Sequence, residues 1–600
     1  MKRNVFILSI LTAAVMLLAV NFNFALGQET YDILIRRGKV YDGSLKSAFS
    51  ADVAVKDGEI VKVEKSIKGS ADIVIDAKGL FITPGFIDLH THVDREMYYP
   101  ENRACLNYLL QGVTTVIVGQ CGSSAWNIFE KAEDQMKRWS EGGIGPNAAL
   151  LVGHGSVRQL VMGRENREPT EEELEEMKEL VKEAMEQGVY GLSTGLVYVP
   201  GSFGNTDEVV ELVKVIAPYG GIYHSHIRNE DEELLEAVEE AIEIGERTGA
   251  PVHISHFKVM GQENWGLVKE ACKLIEDARA RGQKVTADQY PYRFSSTSPY
   301  TSIIPGGALR GNEDVERLSS QDIENIFDYL RDSELIDLYT KVTPYYPLSE
   351  RHQQYLNELT RKQLVSLVAQ NLISTRRGLD NTRERMLFIQ KMQDPVEAEK
   401  VRETVRENIE RIGAEYLVVG ICVEKELEGK SLKEIAEIKG KSLEDTAIEL
   451  ELMGAKAIPF RMCEEDIEYI IKKEYVGTGS DGTAPFYGMG LPHIRSYSTF
   501  LHKIKKYAQE RKTVSVEHVI RSQTSLPAEI MNWNDRGWIK EGYKADINVL
   551  DLKNIETETS ISNPHQYCKG VKYLVVNGEL VIDNRKFTGK LPGQVLKLKK

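Results

Sequence analysis

GFIDLHTHVD, residues 85–94, places two histidines one residue apart directly behind an apolar run. Residues two apart in a β-strand share a face, so the rings of His90 and His92 can point the same way. Two neutral imidazoles that converge on one point are a common way to hold a metal ion. The pattern alone also fits two histidines that pack or face water, so the rest of the chain has to decide.

Eight short apolar runs of this kind recur along the chain, most of them separated by stretches with a helical pattern. The runs cover residues 84–90, 114–122, 147–155, 190–199, 220–226, 251–258, 284–292 and 475–482. Strands that alternate with helices indicate parallel βαβ units, and eight such units predict an α/β fold with a closed (β/α)8 barrel. Polar helical segments at about 295–460 interrupt this alternation of strands and helices. They predict a helical insertion before the last barrel strand.

Both ends of the chain follow a different pattern, in which apolar and polar residues alternate between turns. Residues 31–83 and 545–584 show the two-residue period of antiparallel strands, and Asn577-Gly578 is a typical hairpin turn. We therefore predict one small β-sandwich domain formed by both termini. Its parts are residues 28–84 and 535–600, and the barrel occupies residues 85–534 between them.

Residues 1–27 have the form of an export signal. Two basic residues precede an almost continuous apolar run from Val5 to Val20, and small residues follow before Gln28. A retained membrane anchor is the alternative, because the run is close to spanning length. We expect cleavage near Gln28, a periplasmic or secreted protein, and no stable membrane insertion afterwards.

The composition narrows the possible functions. The 600-residue chain is 42% hydrophobic and 28% charged, which suffices for a large core and more than one domain. A formal net charge of −15 argues against nucleic acid as a partner. The six cysteines are irregularly spaced and do not resemble a disulfide framework, so at least one is expected to have another role.

Side chains with metal-binding or catalytic chemistry stand at the C-terminal ends of the predicted strands. They are His90, His92, Cys121, His154, His224, His226, His256, Lys258, Tyr290, Tyr292 and Asp481. In a (β/α)8 barrel these ends form the rim that carries the active site, so the side chains should meet in one pocket. This convergence favours a metal site over ordinary packing.

On these motifs the chain resembles the amidohydrolase superfamily, and within it the N-acyl-D-amino-acid deacylase (D-aminoacylase) family. The matching stretches run in order over nearly the whole chain: PGFIDLHTHVD, GVTTVIVGQCG (112–122), LVGHGSVR (151–158), GLSTGLVYVPGSF (191–203), YHSHIRNE (223–230), ISHFK (254–258), TADQYPY (286–292), GSDG (479–482) and RGWIKEGYKADINVLD (536–551). The resemblance implies a zinc-dependent enzyme that hydrolyses the amide bond of small N-acyl-D-amino acids. The D configuration rests on the resemblance alone.

The resemblance also implies a role for each residue at the strand ends. Cys121, His226 and His256 match the ligands of one tight zinc ion, and His90 and His92 match a second, weaker position. Asp481 matches the catalytic carboxylate, which takes a proton from the attacking water and passes it to the leaving nitrogen. The expected substrate-binding residues are Lys258, Arg495, His154 and one tyrosine of the YPY segment, for which we choose Tyr292 over Tyr290.

Several alternatives stay open from the sequence. His224 and His226 share a strand face, and only the following IRNE segment favours His226 as the ligand. His253 is an odd number of residues from His256 and is expected to face away from the barrel interior. Strand four lacks the lysine that bridges two metals in many amidohydrolases, which counts against a hydantoinase. A dipeptidase, another cyclic-amide hydrolase or a non-catalytic binding protein remains the alternative function.

Overall fold

The computed structural model describes residues 29–125, 131–163, 165–295, 392, 394–422, 424–452, 455–488, 492–561 and 563–598. The predicted export signal lies outside these residues, and so does much of the predicted insertion. Among the helices that are described, none is both long and apolar enough to cross a membrane.

Strands and helices alternate through the middle of the chain. The strands are β1 Thr30–Val40, β2 Phe49–Lys56, β3 Glu59–Glu64, β4 Ser70–Asp76, β5 Phe81–Pro84, β6 Phe86–Asp88, β7 Val113–Val118, β8 Asn147–Leu150, β9 Val152–Gly153, β10 Gly191–Gly195, β11 Ile222–His226, β12 Val252–Ile254, β13 Val285–Gln289, β14 Leu417–Ile421, β15 Lys456–Pro459, β16 Val476–Thr478, β17 Ile547–Leu550, β18 Val571–Val576, β19 Glu579–Asp583, β20 Lys586–Phe587 and β21 Val595–Leu596. The α-helices are α1 Leu106–Leu109, α2 Ala132–Gly142, α3 His154–Met162, α4 Glu171–Gln187, α5 Thr206–Ile216, α6 Leu234–Thr248, α7 Val268–Ala280, α8 Pro395–Ile412, α9 Leu432–Lys439, α10 Leu443–Leu452, α11 Glu464–Ile471, α12 Arg495–Lys503, α13 Val516–Gln523 and α14 Ser525–Ile530.

The predicted barrel of eight parallel strands is confirmed. Around the barrel the strands follow the order β6, β7, β8 with β9, β10, β11, β12, β13 and β16, where β8 and β9 are one strand interrupted at Leu151. The neighbours pair in parallel. Backbone hydrogen bonds from Leu89 N to Thr478 O (3.1 Å) and from Asp481 N to His90 O (2.7 Å) join β16 to the segment after β6. The carboxyl ends of all eight strands therefore surround one mouth.

The predicted β domain formed by both termini is present as one nine-stranded sheet. Its order is β20, β19, β18, β17, β5, β1, β2 and β3, with β4 also paired to β1. The first part of β1 pairs with β4, and its end pairs with β5. Apolar residues from both ends of the chain, such as Ile33, Val53, Ile547 and Val575, form a single core.

The C-terminal tail returns to the barrel, which the sequence did not predict. Strand β21 pairs in parallel with β8, and Leu598 N donates to Gly188 O at 2.9 Å. Only two residues form this strand, so it carries too short a pattern to recognise from sequence.

The described part of the insertion has a core of its own. Helices α8 to α10 and the antiparallel pair β14–β15 surround apolar side chains such as Val405 and Leu432. The sequence predicted the helices but missed the strand pair, because β14 and β15 are short and separated by 34 residues that include two helices. At the barrel rim, Trp265 Nε1 donates to Arg461 O at 3.1 Å, which attaches the insertion beside the barrel mouth.

Candidate active site

Three residues of the predicted site lie at sharp backbone turns directly after their strands. Cys121, His256 and Asp481 have left-handed conformations with φ of 53°, 37° and 50°. For a residue other than glycine such a conformation costs about 1–3 kcal/mol and persists only where the surrounding structure holds it. Each of these turns brings a metal-binding or acidic side chain to the mouth of the barrel.

Cys121 Sγ and one nitrogen atom from each of four histidines form a group of five potential ligand atoms. The Sγ atom lies 3.3 Å from His90 Nε2, 3.8 Å from His92 Nε2, 3.5 Å from His226 Nδ1 and 3.5 Å from His256 Nε2. We call these five residues the donor cluster. They form two overlapping sets that share Cys121, and within each set the ligand atoms lie within 4.8 Å of one another.

The donor cluster fits a zinc ion. With Zn–S about 2.3 Å and Zn–N about 2.0–2.1 Å, a tetrahedral ion separates a sulfur and a nitrogen ligand by roughly 3.6 Å. The observed separations of 3.3 to 3.8 Å bracket this value. A thiolate with imidazoles is also a chemically suitable ligand set for Zn²⁺. All five residues that the sequence predicted as ligands are therefore brought together.

Burial shifts the pKa values of three members of the donor cluster. It lowers the pKa of His90 well below the usual range and that of His226 to about 3, so both rings are neutral at neutral pH. Burial also raises the pKa of the Cys121 thiol well above its usual range, and the nearby carboxylates of Asp481 and Glu230 raise it further. A metal ion would have to displace the thiol proton in order to bind.

Asp481 lies between the donor cluster and a buried arginine. Its Oδ1 is 3.1 Å from His92 Nε2, and its Oδ2 is 2.7 Å from Arg495 Nη1. Burial alone would raise the pKa of Asp481, but the charge of Arg495, with a contribution from His256, holds it well below the usual range. An ionised carboxylate is thus positioned beside the ligand atoms, where it can accept a proton.

Glu230 was missed by the sequence analysis and connects two site residues. Its Oε1 is 3.0 Å from His256 Nδ1 and 2.5 Å from Lys258 Nζ. His256 Nδ1 also lies 3.0 Å from Lys258 Nζ. When Nδ1 donates its proton to Glu230, Nε2 of His256 is left unprotonated and directed at Cys121. Glu230 follows β11 in a loop, where no strand period predicts the direction of a side chain, so its sequence position gave no signal.

Asp288 lies beneath the donor cluster. Its Oδ1 accepts a hydrogen bond from His256 N at 2.9 Å, and its Oδ2 lies 2.9 Å from His253 Nε2 and 3.8 Å from His90 Nδ1. Burial raises the pKa of Asp288 to about 7. The prediction that His253 faces away from the barrel interior is wrong, because the left-handed turn at His256 breaks the strand alternation on which it rested.

His224 lies outside the donor cluster. Its ring centroid is 4.4 Å from that of His253, and its Nδ1 is 3.3 Å from Gln120 Nε2. The choice of His226 over His224 as the candidate ligand therefore agrees with where the structure places the two rings.

Four residues of the donor cluster, His92, Cys121, His226 and His256, line a cavity of about 680 Å³ at the barrel mouth. Lys258 and Arg495, both predicted to bind substrate, also line this cavity. Between them stands Tyr290, whose ring centroid is 5.6 Å from Lys258 Nζ and 4.9 Å from Arg495 Cζ. The Tyr290 hydroxyl and Arg495 Nε are buried and have no hydrogen-bond partner among the described residues.

The structure does not support the choice of Tyr292 as the substrate-binding tyrosine, because Tyr290 lines the cavity and Tyr292 does not. The Tyr292 hydroxyl is 2.7 Å from Ser498 Oγ, and its ring packs in a buried cluster with Phe294 and Met462. Tyr290 and Tyr292 are two residues apart and would share a face of a strand, so their spacing could not show which of them faces the cavity. Tyr290 directly follows β13, whereas at Tyr292 the chain has already turned away from the cavity.

His154 does not line the cavity, so the predicted substrate contact is not supported. The residue starts helix α3, its ring is fully buried, and its Nε2 lies 2.7 Å from Glu208 Oε1. Arg158 binds the same carboxylate. The run 147–155 ends as a strand at Gly153, and the helix start directs His154 towards α5 rather than over the barrel mouth.

A family model matches a little over half of the chain, and individual relatives match nearly all of it. The model of the amidohydrolase family matches residues 73–316 and 469–582. D-aminoacylase from Alcaligenes xylosoxydans xylosoxydans is 28% identical, over 95% of this chain and 98% of that protein. A crystal structure of D-aminoacylase matches with a TM-score of 0.69 at 28% identity, covering 94% of this chain and all of that one. N-acyl-D-glutamate deacylase from Bordetella bronchiseptica, solved with zinc and a phosphonate mimic of the tetrahedral intermediate, matches with a TM-score of 0.69 at 25% identity, covering 95% of this chain and all of that one.

Proposed function

The chain belongs to the amidohydrolase family, and from this premise we propose that it hydrolyses the amide bond of N-acyl-D-amino acids to a carboxylate and a D-amino acid. One observation carries the proposal: the donor cluster and the ionised carboxylate of Asp481 lie next to each other at one cavity. The similarity to D-aminoacylase and to N-acyl-D-glutamate deacylase over nearly the whole chain supports the substrate class and the D configuration.

The donor cluster would hold zinc, with Cys121, His226 and His256 at the tighter position and His90 and His92 at a weaker one. Bound zinc supplies Lewis acidity, which lowers the pKa of water and polarises a carbonyl group. Asp481 takes the proton of the attacking water and passes it to the leaving nitrogen. The second transfer is essential, because an amide anion is a very poor leaving group.

The free carboxylate of the substrate finds partners on one side of the cavity. Tyr290 offers a hydroxyl and Arg495 offers Nε, both without a partner among the described residues. A guanidinium has five N–H donors, so Arg495 can hold Asp481 and a substrate carboxylate at once. Lys258 adds positive charge nearby, although Glu230 already neutralises part of it.

A panel of N-acetyl-D- and N-acetyl-L-amino acids, assayed with added zinc, tests the proposal. We expect hydrolysis of the D series and its loss when a chelator removes the metal. Preference for the L series, or turnover of dipeptides or cyclic amides instead, would favour the alternative amidohydrolase activities. Zinc binding without any turnover would favour a binding protein on the same scaffold.

We also propose that the protein acts outside the cytoplasm, in the periplasm or the medium. The support is the basic start, the apolar run and the small residues before Gln28. N-terminal sequencing of the protein from its native host should find a mature terminus near Gln28. A membrane-bound chain that still begins at Met1 would show a retained anchor instead.

A further inference from the structure

Three consecutive apolar residues line the cavity and remain exposed. Val197, Tyr198 and Val199 leave 49%, 47% and 44% of their surface accessible, and all three lie in the turn after β10. Single exposed apolar residues are common, but a contiguous group at the mouth of a site marks a surface that binds something apolar. We call these residues the apolar strip.

The apolar strip is continuous with the donor cluster. The ring of Tyr198 packs edge-on against His226, with 4.8 Å between the ring centroids. A ligand whose reacting bond lies at the donor cluster therefore meets Tyr198 first and the two valines next to it. This contact ties the strip to the reaction site rather than to a separate surface.

The strip and the carboxylate partners follow different strands around the barrel mouth. Lys258, Tyr290 and Arg495 follow β12, β13 and β16, the last three strands around the barrel. The strip follows β10, the fourth strand. If the substrate carboxylate lies over the last strands and the amide bond at the donor cluster, the acyl group extends over β7, β9 and β10.

Glycines make up part of the cavity wall on that side. Gly122, Gly155, Gly195 and Gly201 line it together with Ser123, Ser156 and Gln159. A Cβ on Gly122 would come within 2.8 Å of Gly195 N, and one on Gly195 within 2.3 Å of Cys121 O, so the segments after β7 and β10 pack backbone against backbone. No side chain projects from the four glycines into the space between the donor cluster and the apolar strip.

We propose that the apolar strip binds the acyl chain, and that the substrates are N-acyl amino acids whose apolar acyl chains are several carbons longer than acetyl. This inference rests on the proposed amide hydrolysis at the same site. The acyl chain fits the strip better than the amino-acid side chain does, because the carboxylate partners would hold the amino-acid part over the last three strands, away from β10.

The test is a chain-length series of one D-amino acid carrying acetyl, butanoyl, hexanoyl and octanoyl groups. Complete burial of a methylene group is worth roughly a fourfold gain in kcat/KM, and an open groove captures part of that. We expect at least about a tenfold rise from acetyl to octanoyl. The Val197→Ser/Val199→Ser variant should lower the octanoyl-to-acetyl ratio at least about fivefold, mainly through KM.

Val74→Ser is the matched control, because Val74 is a valine on β4 that is 58% exposed and far from the cavity in the fold. Its octanoyl-to-acetyl ratio should equal that of the unchanged protein. Circular dichroism and melting temperature confirm that both variants fold.

The possible results distinguish a failure of the acyl-chain inference from a failure of the proposed amide hydrolysis. Hydrolysis that does not improve with acyl length, or a double variant that keeps the ratio, overturns the inference and leaves the proposed function intact. A ratio that instead follows the size of the amino-acid side chain also overturns it. If no member of the series is hydrolysed, the proposed function fails, and calorimetric binding of octanoate to the protein and to the double variant decides the inference by itself. Equal binding by the two overturns it.

Discussion

At the scale of single residues, the proposed chemistry depends on the carboxylate of Asp481. Asp481→Asn keeps the size of the side chain and part of its hydrogen bonding to Arg495 but removes the base. General acid–base groups contribute roughly 10²–10⁴-fold. We therefore expect kcat on an N-acyl-D-amino acid to fall at least about a hundredfold, with zinc content and melting temperature nearly unchanged.

The zinc content and the melting temperature of Asp481→Asn distinguish a role in proton transfer from a role in metal binding. Asp481 Oδ1 is also 3.6 Å from His90 Nε2, so the carboxylate could act as a ligand. A variant that retains most of its turnover would show that another group moves the proton. A variant that loses zinc would show that Asp481 serves mainly to hold the metal.

The second prediction at this scale concerns the thiol that both sets of the donor cluster share. Cys121→Ala removes the one ligand atom within 3.8 Å of all four histidines, so we expect most of the bound zinc to be lost. Cys272→Ala is the matched control, because Cys272 is a buried cysteine in α7 that does not line the cavity. Elemental analysis of both purified variants measures the effect. Full zinc retention in Cys121→Ala would remove Cys121 from the site.

At the scale of elements, the sequence predicted the barrel because buried parallel strands are continuous apolar runs, and it predicted the donor cluster because each ligand follows such a run. The alternation of side-chain directions along a strand no longer predicted where a side chain points once the backbone had left the strand. The left-handed turn at His256 reversed the expected side for His253. Tyr290 and Tyr292 are two residues apart, so the alternation assigns both to the same face. Glu230 lies in a loop, where the alternation predicts nothing. The two-residue strand β21 and the short pair β14–β15 carry too little pattern to be recognised.

The junction between the β domain and the barrel gives a prediction at this scale. Asp546, next to β17, accepts hydrogen bonds from Asn577 N at 2.8 Å and Asn147 Nδ2 at 3.1 Å, and it pairs with Arg536 at 3.2 Å. Asp546→Ala would leave buried Arg536 with only the half-exposed Asp535, 3.3 Å from its Nε, and would remove the acceptor of two further hydrogen bonds. Removing one partner of a buried ion pair costs about 3–5 kcal/mol. We expect a large fall in melting temperature with zinc content preserved in the folded fraction.

Asp76→Ala is the control for Asp546→Ala. Asp76 pairs with Arg37 on the surface of the same β domain, and 54% of its side chain is exposed. An exposed pair contributes about 0–1 kcal/mol, so its melting temperature should hardly change. Equal effects of the two substitutions would show that the buried junction does not stabilise the fold.

At the scale of the whole molecule, the candidate metal site exists only when the barrel is closed. Its ligands lie at or after the ends of β6, β7, β11 and β12, and Asp481 follows β16. In the sequence, 165 residues lie between His90 and His256. The family model covers these strands but leaves out residues 317–468, most of the insertion. The candidate metal site thus lies within the part of the chain that the family model matches, and most of the insertion lies outside it.

The last prediction is that zinc binding by the whole protein releases one proton near neutral pH. Burial raises the pKa of the Cys121 thiol, so the metal-free protein keeps it protonated, whereas the lowered pKa values of His90 and His226 leave those rings neutral. Among these three ligands only the thiol has to lose a proton, so zinc affinity should rise about tenfold per pH unit once Asp288, whose burial raises its pKa to about 7, is ionised. Competition with a chromophoric chelator from about pH 7 to 8.5 measures this slope. Cys121→Ala should flatten it for any residual binding. A flat profile in the unchanged protein would show that the thiol is not a ligand, and a slope near two would show that a second group is protonated in the metal-free site.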